Sequence, residues 1–131
     1  MTKILVVDDE VDVRRLIEVK LKKACFEVIT ASDGQEGLET AIAETPDRVV
    51  LDVMMPRMDG YTAAPLIKQQ VSPPPVIVML TAKGQESDVI EGLTGGADDY
   101  IIKPFAPREL IARIQVALIK SGRKVTINPE A

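Results

Sequence analysis

Four short apolar runs in this chain end in side chains that can do chemistry. Val7 is followed by Asp8 and Asp9, Leu51 by Asp52, Leu80 by Thr81, and Ile102 by Lys103. If the runs are parallel strands, all four endings lie at one edge of a sheet, and three carboxylates, a hydroxyl and an ammonium converge from distant parts of the sequence. Asp8, Asp9 and Asp52 then bring three negative charges into a cleft partly walled by apolar strands, a costly arrangement unless they are protonated or compensated. Lys103 supplies one positive charge. The remainder matches one divalent cation, and an all-oxygen site with few ligands and room for water suits Mg2+. With both cations in place the cluster is near neutral and can accept a phosphoryl group of roughly −1.5 to −2 charge. Asp52, on a central strand, is the expected nucleophile, forming an aspartyl phosphate whose oxygens Thr81 and Lys103 would hold.

Composition removes most other chemistry. Among 131 residues, 16 Lys and Arg face 20 Asp and Glu, and there is no His, giving a formal charge of −4. Cys25 is the single cysteine, which excludes a monomeric disulfide framework and a Cys-ligated zinc. The absence of His excludes a Ser-His-Asp triad, a Cys-His dyad and an HExxH metalloprotease. Negative net charge with two Phe and two Tyr argues against direct nucleic-acid binding by this segment, since neither a basic patch nor a stacking platform is evident. No apolar run approaches the ~20 residues needed to span a bilayer, and a cytoplasmic, membrane-free location is expected.

The elements that must position the candidate residues follow from periodicity. Ile4–Val7, Val28–Ile29, Val49–Leu51, Val76–Leu80 and Tyr100–Ile102 read as strands. Four are continuously apolar, as in strands covered on both faces, and Val28–Ile29, flanked by Glu27 and Thr30, reads as an edge. A first helix is expected after Asp9–Asp12, with acidic residues in its first turn and Val13, Leu16, Ile17, Leu21 and Ala24 facing the core. Asp33 should cap a second helix that Pro46 ends, and Tyr61–Gln70 a third, in which Pro65 must lie in the first turn or kink the helix. Ser72-Pro73-Pro74-Pro75 is a stiff linker, a fourth helix spans roughly Gln85–Thr94 with Gly92 weakening it, and a fifth starts at Pro107 and buries Leu110, Ile111, Ile114 and Leu118. Alternation of strand and helix predicts an α/β fold: a single doubly wound (βα)5 domain with a parallel five-stranded sheet of order 2-1-3-4-5, flavodoxin-like in topology. Residues 1–121 form this domain, and 122–131 a C-terminal tail or the start of a linker.

Val6-Val7-Asp8-Asp9-Glu10, Leu51-Asp52-Val53-Met54-Met55-Pro56 with Met58-Asp59-Gly60, Leu80-Thr81-Ala82, and Gly96-Ala97-Asp98-Asp99-Tyr100 running into Lys103-Pro104-Phe105 closely resemble the CheY-like receiver domain of bacterial two-component response regulators. The match covers about residues 3–120 with every block in order. The resemblance implies that Asp52 is the phosphoacceptor and that Asp8, Asp9, Asp52 and the Met54 carbonyl bind Mg2+. It implies that Lys103 contacts the phosphoryl group, that Thr81 and Tyr100 form a switch pair, and that Lys103-Pro104 is a cis peptide. The phosphodonor would be a histidine kinase or phosphotransfer protein, and the chain a signalling switch with only self-phosphorylation and self-dephosphorylation chemistry. The downstream partner, a separate protein or an attached effector domain, would meet the surface of the helix over 85–94, the fifth strand and the last helix.

Each motif also has a bland reading: Asp-Asp or Asp at a strand end is usually a cap or turn residue, and Thr81 a capping hydroxyl. Their coincidence at one sheet edge is what favours the functional reading. A Mg2+-dependent phosphatase of the haloacid dehalogenase type is the nearest rival, but it needs an acid two residues after its nucleophile, where Met54 stands here. A flavin-phosphate site is disfavoured by Asp8-Asp9-Glu10, which would repel the phosphate. By family analogy Met54 and Lys83 flank the path of attacking water and modulate the lifetime of the phosphoryl group. Asp98 and Asp99 precede their strand, should face the opposite edge, and are assigned no metal. Association is expected to be monomeric or weakly dimeric. By resemblance to winged-helix response regulators, Ile90, Leu93 and Ile111 would supply an apolar patch and Asp99 with Arg113 an ionic pair, but Val89, Thr94 and Gln115 stand where that subfamily forms its other pairs. Ala112, Val116 and Ile119 offer a further apolar group on the last helix.

Overall fold

The computed structural model describes residues 2–82 and 97–120, with side chains through Ile114 apart from Ala82. Strands β1 (Lys3–Val7), β2 (Glu27–Ala31), β3 (Arg48–Asp52), β4 (Val76–Ala82) and β5 (Asp99–Lys103) alternate with helices α1 (Val11–Lys23), α2 (Gly34–Glu44) and α3 (Gly60–Gln70), and α4 (Pro107–Lys120) follows β5. All strand pairs are parallel and the sheet order is β2-β1-β3-β4-β5, as the alternation predicts, with β2 at an edge. The helix expected over 85–94, with Val89, Ile90, Gly92, Leu93 and Thr94, lies outside the described residues, as do Lys83, the tail 122–131 and the side chains of Gln115, Val116, Leu118 and Ile119.

Period-2 alternation divides the central strands between two cores. Leu5, Val7, Val49, Leu51, Ile77 and Met79 pack with Leu38 and Ala41 of α2 and Ala63, Ala64 and Ile67 of α3. Ile4, Val6, Val50, Val78, Leu80 and Ile101 face the other way, onto Ile17 and Leu21 of α1 and Leu110, Ile111 and Ile114 of α4. Each fully buried aliphatic side chain contributes about 1.5–3 kcal/mol, so both layers hold the strand ends in fixed register.

Local chemistry sets the helix boundaries. The Asp33 carboxylate accepts the Glu36 amide at 2.8 Å and the Asp59 carboxylate the Thr62 amide at 2.8 Å, each a cap worth about 1 kcal/mol. α2 stops at Glu44, with Thr45 in the left-handed region (φ 44°) just before Pro46. Three expectations are corrected. Leu16 is 45 % exposed, because the part of α1 facing the sheet is the narrower stripe of Ile17 and Leu21. Pro65 is not in the first turn: α3 begins at Gly60, so Pro65 falls in its second turn and cannot donate to Tyr61, yet the helix runs on to Gln70. α1 begins at Val11 and not after Asp12, so the expected acidic first turn is present as Asp12, while Asp8, Asp9 and Glu10 precede the helix.

Candidate phosphoacceptor and metal site

β1, β3, β4 and β5 end at the same edge, and the chain leaves each of them with a polar side chain. Lys103 Nζ donates to Asp8 Oδ2 at 2.9 Å and stands 3.5 Å from Asp52 Oδ2 and 3.5 Å from Glu10 Oε1. The other Asp8 oxygen accepts the Glu10 amide at 2.9 Å, and Arg14 donates to the Asp8 carbonyl at 2.8 Å. One lysine on the fifth strand thus ties the first strand to the third. Thr81 Oγ1 is buried and has no hydrogen-bond partner among the described residues, so a donor is held ready at the end of β4.

Burial shapes the charge. Desolvation, reinforced by the Asp8 and Asp9 charges and opposed by Lys103, pushes the Asp52 carboxyl up from 3.8 to about 7. Burial also disfavours the Lys103 ammonium, but the Asp8 hydrogen bond and the Asp52, Asp8 and Glu10 charges outweigh it and hold its pKa above the usual lysine value.

The loop from Val53 to Asp59 is pressed close to this edge. The Gly60 amide donates to the Val53 carbonyl at 2.8 Å, and a Cβ at Gly60 would lie 2.5 Å from the Asp52 carbonyl oxygen, so only glycine lets α3 start there. Met58 N donates to Pro56 O at 2.8 Å across Arg57, which has φ 69°, a γ-turn whose tip approaches Asp33, the cap of α2, with Arg57 Nη1 at 3.7 Å from its carboxylate. The Lys103–Pro104 peptide is cis.

Not every expected residue joins the cluster. Asp8, Glu10 and Asp52 present carboxylate oxygens within 4.8 Å of one another, a donor set of hard oxygens that fits a divalent cation such as Mg2+. Asp9 is exposed and outside that group, although its charge reaches Asp52. Met54 is 62 % exposed beside the site. Tyr100 is half-buried against the α2–α3 core, alongside Met79 and on the face of β4 and β5 that Thr81 shares. Lys83 lies outside the described residues. Glu10 is the residue that sequence reasoning left without a role, and its position two after Asp8, just beyond a strand end, was the available signal. Asp98 sits at the far edge, accepting from Lys68 Nζ at 2.7 Å and from the Ile77 amide at 2.8 Å, and Asp99 opens β5. Neither lies in the acidic cluster.

The family model of the response regulator receiver domain matches residues 4–115. The alkaline phosphatase synthesis transcriptional regulatory protein PhoP of Bacillus subtilis is 49 % identical over 119 residues, 91 % of this chain and 49 % of that protein. The transcriptional regulatory protein SrrA of Staphylococcus aureus is 44 % identical over 124 residues, 95 % of this chain and 50 % of that protein. Among solved structures, the chemotaxis response regulator CheY4 of Vibrio cholerae superposes with a TM-score of 0.84 at 34 % identity, covering 90 % of this chain and 99 % of that one. This chain belongs to the response regulator receiver family of two-component signal transduction. It spans about half the length of the curated relatives it matches, which are transcriptional regulators rather than enzymes of metabolism.

Proposed function

We propose that the chain is a phosphorylation-dependent switch that takes a phosphoryl group from a histidine kinase or phosphotransfer protein onto Asp52. The observation that carries this reading is the meeting of Asp52, Asp8 and Lys103 at 2.9 and 3.5 Å, next to a buried Thr81 hydroxyl with no partner among the described residues. An Asp52 carboxylate oxygen attacks the phosphorus of the phosphoimidazole, the P–N bond breaks as the O–P bond forms, and the imidazole leaves with a proton from solvent. Lys103 then turns its ammonium to one phosphoryl oxygen and Thr81 donates its hydroxyl to another. Asp8, Asp9, Asp52 and the Met54 carbonyl would hold Mg2+, with Glu10 nearby, and the bound ion would supply charge neutralisation for the transferring phosphoryl group. Hydrolysis of the aspartyl phosphate returns the switch, and by family analogy Met54 and Lys83 modulate its rate.

Output is assigned to the surface around β5 and α4, reached when Thr81 moves inward and the Tyr100 ring follows. The transcriptional relatives of twice this length support an effector beyond a receiver portion of residues 1–121, joined through 122–131. A cytoplasmic location agrees with the absence, among the described residues, of any helix long and apolar enough to cross a membrane. Incubation with acetyl phosphate and Mg2+ should add one phosphoryl group by intact mass, and Asp52→Asn should abolish the adduct. Persistence of the adduct in that variant would overturn the assignment.

A further inference from the structure

Of the three carboxylates gathered at the strand ends, Glu10 is set apart by exposure. The Asp8 side chain is 0 % and that of Asp52 7 % exposed, whereas that of Glu10 is 62 % exposed. As N-cap of α1 it gives no side-chain oxygen to the helix, while its amide is fixed on Asp8 Oδ1. Its carboxylate is left at the mouth of the site, 3.5 Å from the Lys103 ammonium and within 4.8 Å of the Asp8 and Asp52 oxygens.

We propose that Glu10 is a specificity-determining residue, a charged lip that sorts phosphodonors by the charge they carry. The inference rests on the reading of Asp52 as phosphoacceptor. A donor must bring its phosphoryl group to Asp52 past this carboxylate, and Glu10 hinders that approach in two ways. It repels the anion directly, and it shares the ammonium that the phosphoryl oxygens need. Arg14 donates its Nη1 to the Asp8 carbonyl, and the ammonium that the Glu10 carboxylate pairs with is that of Lys103. A protein donor can set a basic side chain against Glu10, whereas a small free dianion brings no such compensation. Because Glu10 is exposed, its repulsion is screened by salt, unlike that of Asp8 and Asp52.

The test is Glu10→Gln, which keeps shape and removes charge. Phosphorylation of Asp52 is timed at saturating Mg2+ with acetyl phosphate, a dianion, and with phosphoramidate, a monoanion at neutral pH. Calorimetric Mg2+ titrations of both proteins separate the donor effect from any change in metal affinity. The variant should react about 3–10-fold faster with acetyl phosphate at low salt, less than about twofold faster with phosphoramidate, and the gap between donors should close near 0.5 M salt. Equal acceleration with both donors, or none, at matched metal occupancy would overturn the proposal while leaving Asp52 as acceptor. No adduct in the unsubstituted protein with either donor would overturn the Asp52 reading and this one with it.

Discussion

Asp52 is held by its surroundings in a state that favours its proton when no metal is bound. Burial, then the Asp8 and Asp9 charges, lift its carboxyl to about 7. The folded chain therefore keeps a proton between about pH 4 and pH 7 that the unfolded chain has released, so stability falls as pH rises through this window. Above pH 7 the full penalty is present. Asp52→Asn should then raise the melting temperature in EDTA by several degrees at pH 8, with the gain shrinking towards nothing near pH 4. A gain independent of pH would show that the charge of Asp52 is not its source. At this scale sequence reasoning reached Asp8, Asp52, Thr81 and Lys103 because each follows an apolar run, and a run's end is visible without coordinates. It did not separate Asp9 from Glu10. Two adjacent acids beyond a strand end differ only in which way the backbone turns them, and that turn is set by the Glu10 amide folding back onto Asp8.

The elements contribute rigidity on one side of the site and a ready donor on another. Thr81 closes β4 with its hydroxyl buried and without a partner among the described residues, while Tyr100 stands half-buried on the same face of β5. If the phosphoryl group draws Thr81 inward, Thr81→Ala should still accept phosphoryl from acetyl phosphate but leave the Tyr100 ring resonances unshifted in NMR spectra. A full shift in that variant would route the signal elsewhere. Strand number, sheet order and the Asp33 cap were legible because β-branched runs and capping residues act locally, whereas Asp59 was not singled out as the cap of α3. The exposure of Leu16 and the place of Pro65 were not. A helical stripe tells which residues can face the sheet but not how wide the covered sector is, and a helix start at Gly60 depends on the close approach of that glycine to the Asp52 carbonyl.

For the whole molecule, association is the open surface question, and the structure narrows it. Ile111, read from the sequence both as a buried residue of the last helix and as part of an apolar patch, is 8 % exposed and packs in the core, so it contributes little to any interface. Asp99 and Arg113 already meet within one chain at 3.6 Å, so a cross-subunit pair would have to break this one first. A pair with one exposed partner is worth about 0–1 kcal/mol, too little to fix a dimer by itself. Beryllofluoride-treated protein with Mg2+ should therefore sediment as monomer or weak dimer at micromolar concentration. A tight dimer lost in Arg113→Ala would show that the pair suffices.

The ion pair between Lys103 and Asp8 joins residues 95 positions apart, through a sheet in which the first strand lies between the second and the third. During synthesis the acids emerge long before the lysine that partly neutralises them. A chain stopped short of β5 carries the acids but not their ammonium, and a sheet whose last strand has not docked is in the same condition. On the proposed reading of Asp52 as phosphoacceptor, the ammonium that a phosphoryl group would meet comes into place only with completion of the sheet.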